Sequence, residues 1–241
     1  MTSTPIAILV TPSFENASVS TTQSGLVYES LRSDVLHGVL EPGSKLRVEA
    51  ICARYGVGAS PLREALSRLS AEGLVERSEQ RGFSVSALKW DELLSLNRTR
   101  LLIESVALRE SIENRTREWE EKLALLLHRI SRLPRSTATE SFESNRQWES
   151  LHSEFHRCLL SQCPSRWICD FCAELRDEFY RFRVVAAGQS YGQRDPQAEH
   201  LAIFHASIDG RADEAIALLA EHYALTSELV SQHAAIRTPT N

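Results

Sequence analysis

The chain has 241 residues, of which 42% are hydrophobic and 24% are charged, a composition typical of a globular protein with two domains. No apolar run approaches the roughly 18 residues of a membrane-spanning helix and no secretory signal is recognisable, so we expect a cytoplasmic protein that does not contact membranes. The net charge of -5 excludes a generally basic nucleic-acid-binding surface, and the odd number of 5 cysteines favours free thiols over a disulfide framework.

Three helices are predicted in the N-terminal third of the chain. Residues 1–22 are rich in Ser and Thr and show no periodicity, which predicts a disordered tail. Apolar residues at helical spacing then predict one helix over 26–38 and a second over 47–55. A glycine turn at 56–58 leads into a third helix, for which Ser60 is predicted as the N-cap. This order predicts a helix-turn-helix motif, whose second helix enters the DNA major groove.

The third helix is predicted to be amphipathic. Its apolar face is formed by Leu62, Ala65, Leu66 and Leu69. Arg63 lies on the opposite face, where its guanidinium can bind a base edge, and Ser60 is a further DNA-contact candidate at the start of the same helix. Arg47 and Arg68 are candidates for phosphate contacts, although either can equally be a solvated surface charge.

A β-hairpin is predicted after the third helix. Residues 74–77 and 83–86 have the composition of two short strands, and the loop between them ends in Arg81 and Gly82. Arg81 supplies a positive charge, and Gly82 permits close approach of the main chain to DNA. We therefore predict a winged helix-turn-helix domain over 23–87, with this hairpin as its wing.

Several short motifs occur together in this region. They are Pro42-Gly43, Tyr55-Gly56-Val57, PLREAL at 61–66, Arg68-Leu69, Ala71-Glu72-Gly73-Leu74-Val75, Arg81-Gly82-Phe83 and Val85. In this combination the chain resembles the GntR family of bacterial transcription regulators. It departs from the family at 58–61, where many members read Ser-Arg-Thr-Pro and this chain reads Gly-Ala-Ser-Pro. The resemblance therefore implies that Arg63 carries more of the DNA contact than it does in those members.

Helical spacing continues through residues 88–236. Six helices are predicted, over 90–115, 118–133, about 143–162, 166–187, 195–208 and 211–235. The predicted fold class is thus mainly α: a winged helix-turn-helix with a small β-hairpin wing, followed by an all-α helical-bundle ligand-binding domain. The motifs RLLIE at 100–104, FHRCLL at 155–160, Glu199-His200 and Glu221-His222 make this bundle similar to the FCD subgroup, whose C-terminal domain senses small molecules.

Four histidines of the bundle are candidate metal ligands. His152 and His156 are four residues apart on one predicted helix, and His200 and His222 lie on two later helices that a bundle can bring close to them. Neutral imidazole nitrogens suit zinc or nickel. The resemblance implies an Asp, a His four residues later and two further histidines as ligands, so His152 stands where the Asp usually stands. Each histidine can instead be an ordinary core or surface side chain.

Arg100 is the candidate effector-binding residue. An arginine on the inner side of a bundle helix offers a planar fork that matches a carboxylate, and the resemblance implies that it binds the acid group of an effector beside the metal. The alternative is a salt bridge to Glu104, which lies one helical turn away.

These features together predict a ligand-responsive DNA-binding regulator. It would act as a homodimer on a near-palindromic double-stranded DNA operator, and a small carboxylate effector would bridge the metal and Arg100. Release of DNA on effector binding, hence repression, is the commoner mode in the family that the chain resembles. Two alternatives remain: a metal-dependent helical-bundle enzyme, and a pure metal sensor in which the ion itself is the signal.

Overall fold

The computed structural model describes residues 22–78, 82–138, 142–186 and 195–237. Within these ranges the protein is mainly helical and carries a small three-stranded antiparallel sheet near its N-terminus, so the predicted fold class is confirmed. In the described part of the chain, no helix is both long and apolar enough to cross a membrane.

The N-terminal part forms a winged helix-turn-helix. Its elements are α1 (Gln23–Leu36), β1 (Lys45–Leu46), α2 (Val48–Tyr55), α3 (Ala59–Ala71), β2 (Val75–Ser78) and β3 (Gly82–Val85). β3 lies between β1 and β2 and pairs antiparallel with both, with Val75 opposite Val85 and Leu46 opposite Phe83. The predicted hairpin is therefore present. β1 was missed, because a strand of two residues is too short to show a period.

α1 begins earlier than its apolar pattern indicates. The hydroxyl of Thr22 accepts a hydrogen bond from the amide of Gly25 at 3.1 Å and caps the helix. The tight turn between α2 and α3 uses Gly56, whose φ of 66° is a left-handed conformation that costs glycine little. Residues 1–21 of the predicted tail, and Arg81 at the predicted tip of the wing, lie outside the described residues.

The prediction that Ser60 caps the third helix is wrong. The N-cap is Gly58, whose carbonyl oxygen accepts a hydrogen bond from the amide of Leu62 at 3.3 Å. No side chain caps this end of the helix. Ser60 is the second helical residue and Pro61 the third. Proline is tolerated at that position because amides of the first helical turn have no acceptor within the helix, so its missing N–H removes no helical hydrogen bond.

The apolar face of α3 forms the centre of the N-terminal core. Its four predicted core residues, Leu62, Ala65, Leu66 and Leu69, are completely buried. They pack with apolar residues of α1 and of the sheet, including Leu31, Val75 and Phe83. Full burial of a leucine side chain contributes roughly 1.5–3 kcal/mol. This packing fixes the opposite face of α3 towards solvent.

The C-terminal part is a helical bundle, entered through a short 3-10 turn at Trp90–Glu92. Its helices are α4 (Leu93–Glu113), α5 (Arg117–Ser131), α6 (Arg146–Leu159), α7 (Arg166–Ala186), α8 (Pro196–Ile208) and α9 (Ala212–Arg237). α9 packs along α4 and α8, α7 packs on α4, and α5 packs on α6. The six predicted helices are therefore present, with ends that differ by a few residues. All 5 cysteines are free.

α7 joins the bundle to the DNA-binding part. Asp177 forms an ion pair with Arg32 of α1. Arg181 is 2% exposed and donates a hydrogen bond to the carbonyl of Ser86, just after β3. The ring of Tyr180 makes an edge contact with that of His37, with 5.5 Å between their centroids. These three contacts, made by residues within five positions of α7, fix the orientation of this helix against the winged helix.

Candidate functional site

The four predicted histidines lie together inside the bundle. His152 and His156 come from α6, His200 from α8 and His222 from α9, and one ring nitrogen of each lies within 4.8 Å of the others. Nε2 of His152 is 3.2 Å from Nε2 of His156. Two nitrogen ligands of a tetrahedral ion with bonds of about 2.0–2.1 Å stand roughly 3.3 Å apart, so this pair has a spacing that suits a shared ion.

The surroundings keep these imidazoles neutral. Burial lowers the pKa of His152 and of His156 well below the ordinary histidine value, and the charges of neighbouring histidines and arginines add to this effect. Nδ1 of His156 is buried and has no hydrogen-bond partner among the described residues. Neutral imidazoles present the lone pairs that metal coordination requires. The donor set therefore fits a borderline cation such as zinc, and the cluster could hold one.

One carboxylate orients a histidine of the cluster. Oε2 of Glu199 lies 2.9 Å from Nδ1 of His222 and accepts a hydrogen bond from it. The proton therefore stays on Nδ1, and the lone pair of Nε2 is available on the side of the other rings. Such carboxylate–histidine pairs are common around bound metals. The sequence pattern gave Glu199 no such role, because the contact joins residues of two helices that are 23 positions apart.

Arg100 is almost completely buried, at 5% exposure, and it is already paired. Nε donates to Oε1 of Glu104 at 2.9 Å, so the salt bridge that the sequence left as an alternative is present. Nη2 donates to the hydroxyl of Tyr223 at 2.7 Å, and that hydroxyl donates in turn to the second oxygen of Glu104. The guanidinium also lies over the ring of Tyr223, at 3.9 Å from its centroid. Arg100 is thus held rigidly, with few alternative conformations.

A cavity of about 60 Å³ adjoins both features. Its lining includes Arg100, Tyr223 and three of the four histidines, His152, His156 and His222. One water needs roughly 10–15 Å³ by this measure, so the space suits a ligand of small size. Three further arginines, Arg135, Arg176 and Arg183, line the same cavity. Sequence reasoning missed this second group, because Arg176 and Arg183 lie on a helix, where arginines are more often solvated, and Arg135 lies in the connection between α5 and α6.

The candidate DNA-contact residues have different surroundings. Arg63, Arg47 and Ser60 are exposed, and Arg63 lies on the solvent face of α3. Arg68 is also exposed, but its guanidinium lies 3.7 Å from the centre of the Tyr28 ring on α1 and is restrained by that contact. Gly82 has a φ of 80° at the start of β3.

Two family models match the chain in succession. The model described as bacterial regulatory proteins, gntR family, matches residues 23–85, and the FCD domain model matches residues 95–225. The first covers the winged helix-turn-helix, and the second covers most of the bundle with all four histidines.

Several known proteins are similar over most of the chain. The HTH-type transcriptional regulator BphR of Paraburkholderia xenovorans strain LB400 is 34% identical over 210 residues, which are 87% of this chain and 86% of BphR. The HTH-type transcriptional repressor GlaR of Escherichia coli strain K12 is 31% identical over 206 residues, which are 86% of this chain and 90% of GlaR. The solved structure of E. coli McbR/YncC has the same fold, with a TM-score of 0.69 at 17% identity over 88% of this chain and 99% of that one. The family models and the relatives are regulators rather than enzymes, and the chain belongs to the GntR family of DNA-binding transcriptional regulators, with an FCD domain after its winged helix-turn-helix.

Proposed function

We propose that the protein is a metal-containing repressor that releases its operator when a small carboxylate enters the bundle. The observation that carries this proposal is the convergence of histidine nitrogens and of Arg100 on one small cavity. Some relatives are named as repressors, GlaR among them, which supports release rather than recruitment as the response.

The metal in this proposal is zinc or nickel. His152, His156, His200 and His222 would hold it, and their neutral nitrogen donors suit these ions better than magnesium or manganese, which prefer oxygen. A bound ion would supply positive charge to a carboxylate oxygen of the effector. Arg100, fixed by Glu104 and Tyr223, would orient that carboxylate without a large loss of side-chain entropy.

The proposed homodimer is supported by an exposed apolar stripe on α4. Leu94, Leu102 and Val106 are 70%, 60% and 47% exposed, and their spacing of eight and four residues places them on one face of the helix. Contact between two such faces would remove this apolar surface from water. Two copies would also place two α3 helices on successive major grooves, about 34–36 Å apart, as a near-palindromic operator requires.

Replacing Arg63 by Ala is expected to weaken operator binding by about 1–3 kcal/mol, because the exposed face of α3 would lose the side chain proposed to bind a base edge. Binding should be measured by fluorescence anisotropy at fixed salt, on an operator selected from a random DNA pool. Arg117→Ala is the matched control, since Arg117 is an exposed arginine of α5, in the helical bundle rather than in the winged helix-turn-helix. Equal affinity of the Arg63 variant and the wild type would remove the proposed base contact.

The effector response should be tested with the same operator. We expect lactate or malate, added to zinc-loaded protein, to release the DNA, and we expect Arg100→Met to abolish that release. If metal alone changes operator affinity and no acid does, the pure metal sensor replaces this proposal. If neither changes it, the proposed regulation is wrong.

Replacing Glu199 by Gln is expected to lower zinc affinity by roughly 10–100-fold while leaving the four histidines in place. The reason is that the amide of Gln accepts a weaker hydrogen bond from Nδ1 of His222 than a carboxylate does. Competition with a chelating dye would measure the affinity. Glu221→Gln is the control, since this exposed carboxylate precedes His222 in sequence. Unchanged affinity in Glu199→Gln would contradict the orienting role.

A further inference from the structure

Arg176, on the face of α7 that lines the cavity, has no counterion among the described residues. Arg176 is 9% exposed, and it forms no ion pair or hydrogen bond with any described residue. By contrast, Arg100 is paired with Glu104, and Arg183 is paired with both oxygens of Glu149. A buried, unpaired guanidinium is costly unless a ligand supplies the missing negative charge.

A second donor lies one helical turn further along α7. The hydroxyl of Tyr180 is buried and has no hydrogen-bond partner among the described residues. Burial raises the pKa of Tyr180 above its ordinary value, with the Glu149 charge adding to this, so the hydroxyl stays protonated and can donate. Residues 176 and 180 are separated by four positions and therefore project from the same face of the helix, and both line the cavity.

Arg176 lies close to the histidine cluster as well. It lines the same cavity as His152, His156 and His222. Within the described residues, the lining of the cavity contains no Asp or Glu. Glu104 and Glu149 neutralise Arg100 and Arg183, so the remaining charge at the cavity is positive. An anion bound beside Arg100 would not neutralise Arg176.

We infer that Arg176 and Tyr180 form a second anion-binding subsite, and that the effector is consequently a short dicarboxylate rather than a monocarboxylate. One carboxylate binds at the Arg100 and histidine end, as in the proposed function on which this inference rests. The other accepts hydrogen bonds from the guanidinium of Arg176 and the hydroxyl of Tyr180. The small volume of the cavity, about 60 Å³, restricts the ligand to short acids.

Malate and lactate are matched probes for this subsite. Both are 2-hydroxy acids and offer the same groups to the Arg100 end, but malate has a second carboxylate where lactate has a methyl hydrogen. Their dissociation constants should be measured by calorimetry on full-length zinc-loaded protein. We expect malate to bind wild type at least about 10-fold more tightly, as one charge-assisted hydrogen bond at a buried site provides.

Three variants then test the two residues. Arg176→Met removes the charge at similar length and is expected to bring the malate-to-lactate affinity ratio close to one. Arg176→Lys keeps the charge without the planar guanidinium and is expected to give an intermediate ratio. This variant still tests the subsite if the Met variant fails to fold. Tyr180→Phe should lower the ratio by a few fold.

The outcomes separate this inference from the proposed function. Equal affinity of wild type for both acids, or an unchanged ratio in both Arg176 variants, would overturn the second subsite and leave the carboxylate-responsive repressor standing. Failure of both acids to bind would overturn both proposals. A high ratio in wild type that falls in the Arg176 variants would support the dicarboxylate.

Discussion

Replacing His200 by Ala is expected to reduce the metal content of the purified protein from about one equivalent per chain to near zero. His200 is completely buried, and its ring centroid lies 4.7 to 5.2 Å from those of the other three histidines. Loss of an outer-shell partner costs roughly 10–100-fold in metal affinity, and loss of a ligand should cost more. Elemental analysis after metal-replete expression and dialysis measures the effect.

The matched control for this variant is His205→Ala. His205 lies on the same helix, α8, but is exposed and outside the cluster, so its replacement should leave the metal content unchanged. Circular dichroism should show that both variants keep the bundle helical. The proposed metal site would be contradicted if the wild-type protein contained no transition metal, or if the His200 variant retained the metal. Removal of the metal by a chelator should also lower the melting temperature, because a ligand present at 1,000 times its dissociation constant stabilises the folded state by about 4.1 kcal/mol.

Replacing Leu66 by Ala is expected to destabilise the winged helix-turn-helix by about 2–5 kcal/mol. Leu66 is completely buried at the centre of the N-terminal core, and its truncation leaves a cavity between α3, α1 and the sheet. Because α3 also carries Arg63, operator binding should be lost at temperatures where the wild type still binds. The metal content should not change, since every histidine of the cluster comes from the bundle.

Denaturant unfolding, followed together with operator binding, measures this second effect. Ser67→Ala is the control, because Ser67 is the exposed neighbour on the same helix and its replacement should change stability by less than about 0.5 kcal/mol. A Leu66 variant as stable as the Ser67 variant would contradict the proposed role of this face in supporting α3.

The sequence predicted the helices well because burial imposes a period on them. The stripe from Leu62 to Leu69 identified both the core face and the solvent face of α3. The predicted start of α3 was wrong. Whether Gly58 or Ser60 is the N-cap depends on hydrogen bonds of the first turn, which composition does not specify. The boundary error of two residues did not alter which face of α3 is exposed.

The site was predictable to a smaller extent. The spacing of His152 and His156 placed them on one helix face, but their convergence with His200 and His222 depended on resemblance to a family. Contacts between residues distant in sequence left no local signal. The contact of Arg100 with Tyr223, 123 positions apart, is one example. The lack of a partner for Arg176 among the described residues is another, because it depends on which carboxylates the fold brings near.

The arrangement of α7 has a mechanical consequence. Arg176 and Tyr180 line the cavity, while Asp177 and Arg181, each one residue further on, bind the DNA-binding domain. Turning this helix about its own axis would therefore displace both sets of contacts together. In the proposed dimer the two α3 helices must lie about 34–36 Å apart to enter successive major grooves, so rotation of α7 would change this distance and weaken operator binding.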